Sequence, residues 1–211
     1  MTDKKLIGVL GKKKSGKDTC GNYLIENYKF KRYTFADPIK KITEVLFDFN
    51  EDQLNGNECK DSLDFRWYIT PRDAFQKIGT EFGQNMIYKL FPKLKQKLGD
   101  EIIWIRLFKK WYEKNKTSDI VITDVRFPYE IEAIKSLGGI IVKIERDNLP
   151  FDDHISERYI DDHISKRYID DIDNNYLNID NNYFNFDNNY KKEDLYSQID
   201  TLINLLNLEK N

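Results

Sequence analysis

The 211-residue sequence has few cysteines and no long hydrophobic run. Its two cysteines, Cys20 and Cys59, have no metal-ligand spacing and are too few for a disulfide framework, so we expect a reducing compartment. The longest apolar run near the N-terminus, Leu6–Leu10, is too short for a signal peptide or a membrane span. We therefore predict a soluble, cytoplasmic protein with no membrane partner.

The sequence also lacks an excess of either charge. Its 34 lysines and arginines nearly balance 36 aspartates and glutamates, which gives a net charge of -2. This balance provides no overall cationic field for a polyanion, so nucleic acid is not an expected partner. Hydrophobic residues at 40% and aromatic residues at 14% supply enough apolar area for a core, which excludes wholesale disorder. The length allows one domain with a small insert.

Short apolar segments alternate with segments of helical periodicity. Leu6–Leu10 fits a buried parallel strand, and Cys20, Leu24 and Tyr28 then recur every four residues, which predicts a helix. Further strands are predicted at 30–35, 120–123 and 140–144. A helix is predicted from Pro128 to the glycines at 138 and 139, and a last one around 195–206. The alternation favours a parallel α/β sandwich.

Three more helices are predicted between the second and third strands. The one that begins at Pro38 is expected to bury Ile39, Ile42, Val45 and Leu46. Residues 48–66 are polar and show no periodicity. A strong start signal follows, because Thr70 is a suitable cap and Pro71 suits the first helical position; this helix is expected to run to about Phe82. The last one spans about 100–114, with Trp104, Phe108 and Trp111 on its apolar side.

The segment before the last helix repeats itself. DDHISERYI at 152–160 is followed directly by DDHISKRYI, and then by IDNNYLN, IDNNYFN and FDNNYKK with a period of seven. Such short periods and few copies do not support a repeat architecture. A coiled coil is the competing account of the period, but Asp-Asn-Asn in each unit favours turns over helix. We predict a tandem duplication within a surface loop at about 160–180.

The segment after the first strand fits a phosphate-binding loop. Gly11-Lys12-Lys13-Lys14-Ser15-Gly16-Lys17 matches G-x-x-x-x-G-K and lies between a predicted strand and a predicted helix, as the mechanism requires. The glycines let successive N–H groups point at phosphate oxygens, the helix N-terminus adds partial positive charge, and Lys17 reaches the terminal phosphates. A nucleoside triphosphate is the implied ligand. A basic glycine turn that binds nothing is the alternative.

Oxygen ligands for Mg²⁺ are available near this loop. Asp18 follows Lys17 where the usual motif has Ser or Thr, and Thr19 comes one position later. A carboxylate is an equally good hard-oxygen ligand, so either residue is a candidate for the metal. Asp124, at the end of an apolar strand, has the character of a second metal-binding carboxylate, with helix capping as the alternative. Strand alternation places Arg126 on the same side as Asp124.

These residues resemble the deoxynucleoside monophosphate kinases of large DNA viruses and phages. The matching pieces, in family order, are GKKKSGKDT (11–19), FADPIK (35–40), TPRDAFQKIGTE (70–81), WIRLF (104–108), ITDVRFPYE (122–130) and HISE (154–157). The resemblance implies a P-loop kinase fold with a five-stranded parallel sheet and a helical monophosphate-binding insert. It also implies ATP with Mg²⁺ as donor, a deoxynucleoside 5′-monophosphate as acceptor, and the host cytoplasm as the location of a viral enzyme.

Phosphoryl transfer needs alignment and positive charge around the moving group, so basic residues are expected to converge on the site. Of the three lysines in the loop, we choose Lys14 as the one that points at the transferring phosphate. The alternative for each of them is a solvated run of charges. Arg72 and Gln76 share one helix face, where they are placed to grip the acceptor phosphate and to hydrogen-bond the base. By position in the family motifs, further contacts are Lys40, Thr80, Arg126 and Arg146, the last with a surface ion pair as its alternative. Trp67 and Tyr68 are candidates for stacking on the base, against a core role.

The predicted organisation is a single kinase domain. Its core comprises 1–36, 118–158 and 183–211, the substrate-binding insert about 37–117, and the duplicated loop about 159–182. Another P-loop kinase, such as one that acts on phosphomevalonate, and a nucleotide-binding regulator without turnover are the alternatives. A GTPase is disfavoured because Asn115-Lys116-Thr117-Ser118-Asp119 is one residue too long for the guanine-reading tetrapeptide. The oligomeric state is open, with a homodimer as one alternative.

Overall fold

A computed structural model describes residues 4–56, 59–99, 101–149 and 183–207. The chain divides into two compact units, one formed by 1–34 with 115–211 and the other by 35–114. The predicted surface loop at 160–180 lies outside the described residues. Among the residues that are described, no helix combines the length and the hydropathy needed to span a bilayer.

The first unit is built on a sheet of five parallel strands. In chain order these are β1 (Leu6–Leu10), β2 (Lys31–Tyr33), β3 (Ile120–Val125), β4 (Ile140–Glu145) and β5 (Tyr183–Asp187). Their spatial order is β2-β3-β1-β4-β5, so β1 is central and pairs with both β3 and β4. Every residue of β1 is buried, as expected for a strand covered on both faces. The predicted five-stranded parallel sheet is confirmed.

The helices follow the predicted alternation. In chain order they are α1 (Lys17–Tyr28), α2 (Ala36–Phe47), α3 (Glu51–Asn55), α4 (Pro71–Gln76), α5 (Ile87–Leu90), α6 (Pro92–Leu98), α7 (Ile103–Asn115), α8 (Pro128–Ser136) and α9 (Lys192–Leu205). A 3₁₀ turn, Cys59–Asp61, precedes α4, and a π-helical segment, Lys77–Met86, joins α4 to α5. The helix predicted to end near Phe82 therefore continues to Leu90.

Helices cover both faces of the sheet. Leu24 of α1 and Leu195 of α9 share a hydrophobic cluster with Ile7 and Val9 of β1. Gly8, which points to the opposite face, lies against α8, because a Cβ there would be 2.7 Å from the Ile134 side chain. The result is a three-layer α/β sandwich, which confirms the predicted fold class.

An aspartate of α9 holds α1 in place. The carboxylate of Asp200 accepts hydrogen bonds from the Tyr23 hydroxyl at 2.9 Å and from the Tyr28 hydroxyl at 2.6 Å. Tyr23 also stacks on Tyr196, with ring centroids 4.0 Å apart. These contacts fix the direction of α1, and therefore the position of the loop at its N-terminus.

The second unit corrects part of the prediction for α2. Val45 and Leu46, which were expected to be buried, are 85% and 53% exposed. The buried residue of α2 is Thr43, whose hydroxyl donates to its own helix at Ile39 O and Lys40 O. Val45 lies about 200° further round the helix than Thr43, so both cannot face the same core.

Residues 48–66, predicted to be irregular, contain a short helix. Asn50 caps α3 by accepting a hydrogen bond from Gln53 N at 3.0 Å, and the Gln53 side chain accepts one from Asn50 N at 3.0 Å. This reciprocal capping box satisfies backbone donors at the start of α3. The prediction missed this helix because the Asn50-x-x-Gln53 signal belongs to a helix of only five residues, which shows no apolar periodicity.

The predicted cap at Thr70 and the predicted apolar side of α7 are confirmed. Thr70 Oγ1 accepts a hydrogen bond from Asp73 N at 3.1 Å. Trp104 and Phe108 are buried, and Trp104 Nε1 donates to Gly79 O at 2.6 Å. A Cβ on Gly83 would lie 2.3 Å from the Trp104 ring, so a glycine is needed where the π-helical segment meets α7.

Candidate active site

The loop between β1 and α1 is tightly confined. Gly16, the N-cap of α1, has φ 112°, a left-handed conformation that other residues rarely adopt. A Cβ on Gly16 would lie 2.4 Å from Asn188 Nδ2, and a Cβ on Gly11 would lie 2.6 Å from Ile144 O. The loop therefore runs between the ends of β4 and β5, where only glycine fits at these two positions.

Lys17 begins α1 and closes the loop on itself. Its Nζ donates a hydrogen bond to Lys12 O at 2.5 Å. The first N–H groups of a helix have no partner within the helix, and together with the helix dipole they favour an anion. The Ser15 hydroxyl is 1% exposed and has no hydrogen-bond partner among the described residues. The loop thus has the local structure of a phosphate-binding loop.

A cavity of about 320 Å³ opens at this loop. It is lined by Lys14, Gly16, Lys17, Asp18, Thr19, Arg146, Asn188, Tyr190 and Lys192. Four cationic side chains thus face one carboxylate, that of Asp18, so the cavity favours an anionic ligand. The structure brings together six of the predicted residues here, while Gly11, Lys12, Lys13 and Ser15 lie in the loop itself.

The carboxyl end of β3 carries Asp124 and Arg126, both half-buried. They lie close to Glu130 of α8, whose Oε2 accepts hydrogen bonds from Arg126 N at 2.7 Å and Phe127 N at 2.9 Å. Burial, followed by the charge of Asp124, raises the pKa of Glu130 to about 8, although the two N–H donors oppose this rise. Asp124, near the end of the strand that pairs with β1, and Glu130, in α8, therefore form an acidic pair within the first unit.

In the second unit, two predicted phosphate contacts have polar partners. The Arg72 guanidinium grips Asp61 with two nitrogens, Nε to Oδ1 and Nη2 to Oδ2, the latter at 2.9 Å. Lys40 Nζ donates to Asn55 Oδ1 at 2.6 Å. The Arg72 side chain is 35% exposed, so it is accessible as well as oriented. A planar guanidinium that binds a carboxylate in this way is suited to two phosphate oxygens.

The remaining predicted residues also lie in the second unit. Trp67 is half exposed, donates from Nε1 to Phe47 O at 2.7 Å and packs edge-on against the Phe47 ring. Tyr68 is 77% exposed at a backbone φ of 54°. Gln76 and Thr80 are half-buried on the helical stretch that also carries Arg72. Part of the Trp67 surface is therefore used within the fold, whereas Tyr68 is exposed.

Sequence reasoning missed several residues of these sites. Glu130 stands inside the quoted ITDVRFPYE segment, and its place at the third position of a helix that begins with Pro128 was the available signal. Asn188, Tyr190 and Lys192 belong to the third seven-residue repeat, which is predicted above as part of the core segment 183–211 without a role at the site. The HISE residues His154 and Glu157 lie outside the described residues. In the described ranges no three His, Cys, Asp or Glu side chains are grouped to hold a metal ion.

Comparisons with known proteins give a consistent result. The family model for deoxynucleotide monophosphate kinase matches residues 5–65 and 72–182. A protein of Acanthamoeba polyphaga mimivirus, named as a deoxynucleotide monophosphate kinase, is 39% identical over 159 residues, covering 72% of this chain and 80% of its own. The Escherichia phage RB69 deoxynucleotide monophosphate kinase is 24% identical, covering 72% of this chain and 87% of its own.

A third relative, the deoxynucleoside-5′-monophosphate kinase of Escherichia phage T5, is 27% identical and covers 61% of this chain and 48% of its own. The family model alone spans well over half of the sequence, and it includes the phosphate loop, the Arg72 helix and β3. The resemblance drawn from the short motifs is therefore confirmed. The chain belongs to the deoxynucleotide monophosphate kinase family, and so to the phosphotransferases.

Proposed function

We propose that this chain transfers the terminal phosphoryl group of ATP to a deoxynucleoside 5′-monophosphate, releasing ADP and a deoxynucleoside diphosphate. The observation that carries the proposal is the cationic cavity at the phosphate loop in a chain of this family. The loop supplies backbone donors for a polyphosphate, and the second unit supplies a bidentate arginine for a second phosphate. The product would serve deoxynucleotide supply for DNA synthesis.

The donor triphosphate is assigned to the phosphate-loop cavity. A volume of about 320 Å³ is at the small end of ligand sites and suits the polyphosphate part of a nucleotide. Lys17 begins α1 and lines this cavity, and in this proposal its ammonium group would bind the terminal phosphates. Lys14, with a left-handed φ of 66°, and Arg146 line the same cavity and would stabilise charge on the transferring group.

The residues around the loop also fit Mg²⁺. This ion takes oxygen ligands, usually one or two carboxylates together with substrate phosphates, so a dedicated cluster of three protein ligands is not required. Asp18 and Thr19 line the cavity, and Asp124 ends the neighbouring strand. Of the first two we assign Asp18 to the metal, because its carboxylate is charged, whereas the Thr19 hydroxyl is neutral. When bound, Mg²⁺ would partly neutralise the negative charge of the donor phosphates.

The acceptor monophosphate is assigned to residues of the second unit. Arg72 presents two guanidinium nitrogens to an oxyanion, as its pairing with Asp61 illustrates. Gln76 would read the base by hydrogen bonds, and Tyr68 would stack on it with its exposed ring. Trp67, Lys40 and Thr80 are proposed as supporting contacts.

In the proposed reaction the protein performs no covalent chemistry. Lys17, Lys14, Arg126 and Arg146 would oppose the negative charge on the transferring phosphoryl group, while the acceptor phosphate oxygen attacks in line. The bond to the bridging oxygen of ATP breaks as the new oxygen–phosphorus bond forms, and ADP leaves. Positioned positive charge therefore accounts for the catalysis.

A coupled assay of ADP release tests the proposal. We expect Mg²⁺-dependent turnover with deoxynucleoside monophosphates. The same assay with ribonucleoside monophosphates and with phosphomevalonate discriminates the alternatives by the acceptor that is used. A phosphomevalonate kinase would also not need Gln76. Turnover with phosphomevalonate alone would contradict the proposal. ATP binding without ADP release on any acceptor would instead favour a nucleotide-binding regulator.

A further inference from the structure

The third seven-residue repeat lies next to the phosphate loop. Its sequence, FDNNYKK at 186–192, ends β5 and leads directly into α9. The proposed reaction assigns no role to this segment, although Asn188, Tyr190 and Lys192 line the cavity. Its Asp-Asn-Asn stretch, Asp187–Asn188–Asn189, makes a set of hydrogen bonds to three other parts of the first unit.

Two of these residues fix the stretch to the fold. Asn189 and Asp147 form a reciprocal pair, in which Asn189 Nδ2 donates to Asp147 Oδ2 at 2.9 Å and Asp147 N donates to Asn189 Oδ1 at 2.6 Å. Asp187 N donates to Gln198 Oε1 at 3.0 Å, and Gln198 Nε2 donates to Asp187 O at 2.7 Å. The backbone between them is thus tied to the residue after Arg146 and to α9.

Asn188 connects this fixed stretch to the phosphate loop. Its backbone N–H donates to Glu145 O at 2.9 Å, and its side-chain Nδ2 donates to Ser15 O at 2.6 Å. The same nitrogen occupies the space that a Cβ on Gly16 would need. A carbonyl held on one side of the Ser15–Gly16 peptide orients the N–H of Gly16 to the other side, because the peptide unit is planar and trans.

We infer that Asn188 is a positioning residue of the phosphate loop. By holding the Ser15 carbonyl, it keeps the loop amides aligned for the polyphosphate and preserves the cavity in its binding shape. Asn188 therefore affects the binding of the polyphosphate through the loop, and this effect does not depend on the base of the nucleotide. This inference rests on the proposed ATP-dependent reaction, and the two can fail separately.

The substitution Asn188→Asp tests the inference with little change of shape. It replaces the donor to Ser15 O by an oxygen that repels that carbonyl, and it adds negative charge at an anion site. Asn185→Asp is the matched control, because Asn185 is an exposed residue of the same strand and the charge change is identical. Asn188→Ala removes the donor without adding charge and gives a second variant should Asn188→Asp fail to fold.

Equilibrium titrations with ATP and with inorganic tripolyphosphate supply the readout. We expect Asn188→Asp to weaken both ligands by a similar factor of at least about tenfold, Asn188→Ala to weaken both less, and Asn185→Asp to weaken neither. In steady state the KM for ATP should rise while the KM for the acceptor stays constant. This split separates a role at the loop from general destabilisation.

Two results would overturn the inference. One is wild-type affinity for both ligands in the Asn188 variants, and the other is a loss confined to ATP with tripolyphosphate binding unchanged, which would place Asn188 at the base instead. A wild-type chain that binds ATP and tripolyphosphate but transfers no phosphate would contradict the proposed function and leave the Asn188 result standing. A wild-type chain that binds neither would overturn both.

Discussion

The carboxyl group of Glu130 accepts a hydrogen bond from the Arg126 backbone N–H at 2.7 Å, and Glu130 is only 5% exposed. Burial is the main cause that raises its pKa to about 8, and the nearby Asp124 adds to the rise. At neutral pH the protonated form is therefore favoured in the folded chain. In the unfolded chain the same group ionises near its ordinary pKa of 4.5.

This difference predicts a pH dependence of stability. Between pH 4.5 and 8 the folded chain holds a proton that the unfolded chain has released, so wild-type stability falls as the pH rises. Glu130→Gln keeps an acceptor for both N–H groups and cannot ionise. Without added Mg²⁺, we expect its free energy of unfolding to gain on the wild type across this range by up to about 1.4 kcal/mol per pH unit.

Denaturant unfolding at several pH values checks this expectation. The difference in free energy of unfolding between Glu130→Gln and wild type should level off above about pH 8. Above that pH Glu130 is ionised in both the folded and the unfolded wild-type chain. Glu132→Gln is the matched control, since Glu132 is exposed on the same helix. Parallel stability curves for wild type and Glu130→Gln would contradict the assigned pKa.

The phosphate loop was predictable because its signals are local. A buried five-residue strand, a glycine turn and a helix start stand next to one another in the sequence, and their order alone dictates the geometry. The Ser15–Asn188 contact joins residues 173 positions apart, and no local pattern encodes it. The Asp-Asn-Asn stretch also has the composition of a turn, so its role in the site is visible only in the fold.

Burial on α2 was mispredicted for a related reason. Apolar periodicity identifies a helix but does not show how much of its apolar face is covered, and Val45 is 85% exposed. Trp104 was placed correctly because its helix has a continuous apolar side. The raised pKa of Glu130 depends on burial and on Asp124, neither of which the sequence displays.

Lys17→Ala should lower turnover by at least about a hundredfold, because a principal stabiliser of developing phosphate charge is lost. Lys41→Ala is the matched control, since Lys41 is exposed on α2 and is not among the residues that line the cavity. Steady-state ADP release measures both variants. Turnover of Lys17→Ala close to that of wild type would refute the role assigned to Lys17.

Asp18→Asn should raise the Mg²⁺ concentration needed for half-maximal activity by roughly tenfold, as expected when a group that holds or orients a metal is weakened. Thr19→Val should raise it less, because the change removes no charge. Titrating Mg²⁺ at saturating ATP compares the two variants. A larger effect of Thr19→Val would move the metal assignment from Asp18 to Thr19.

Arg72→Ala should chiefly weaken binding of the acceptor, because it removes two charge-assisted hydrogen bonds to the monophosphate. Each such bond contributes about 1.5–3 kcal/mol, so we expect the acceptor KM to rise at least about tenfold while the KM for ATP changes little. Arg106→Ala is the control, since Arg106 is a half-exposed arginine of the same unit whose guanidinium lies 3.9 Å from Glu101.

Asp61→Asn, which weakens the ion pair with Arg72, should lower the acceptor KM, because phosphate and Asp61 then compete less for the guanidinium. A change confined to the ATP constant would place Arg72 on the donor instead of the acceptor.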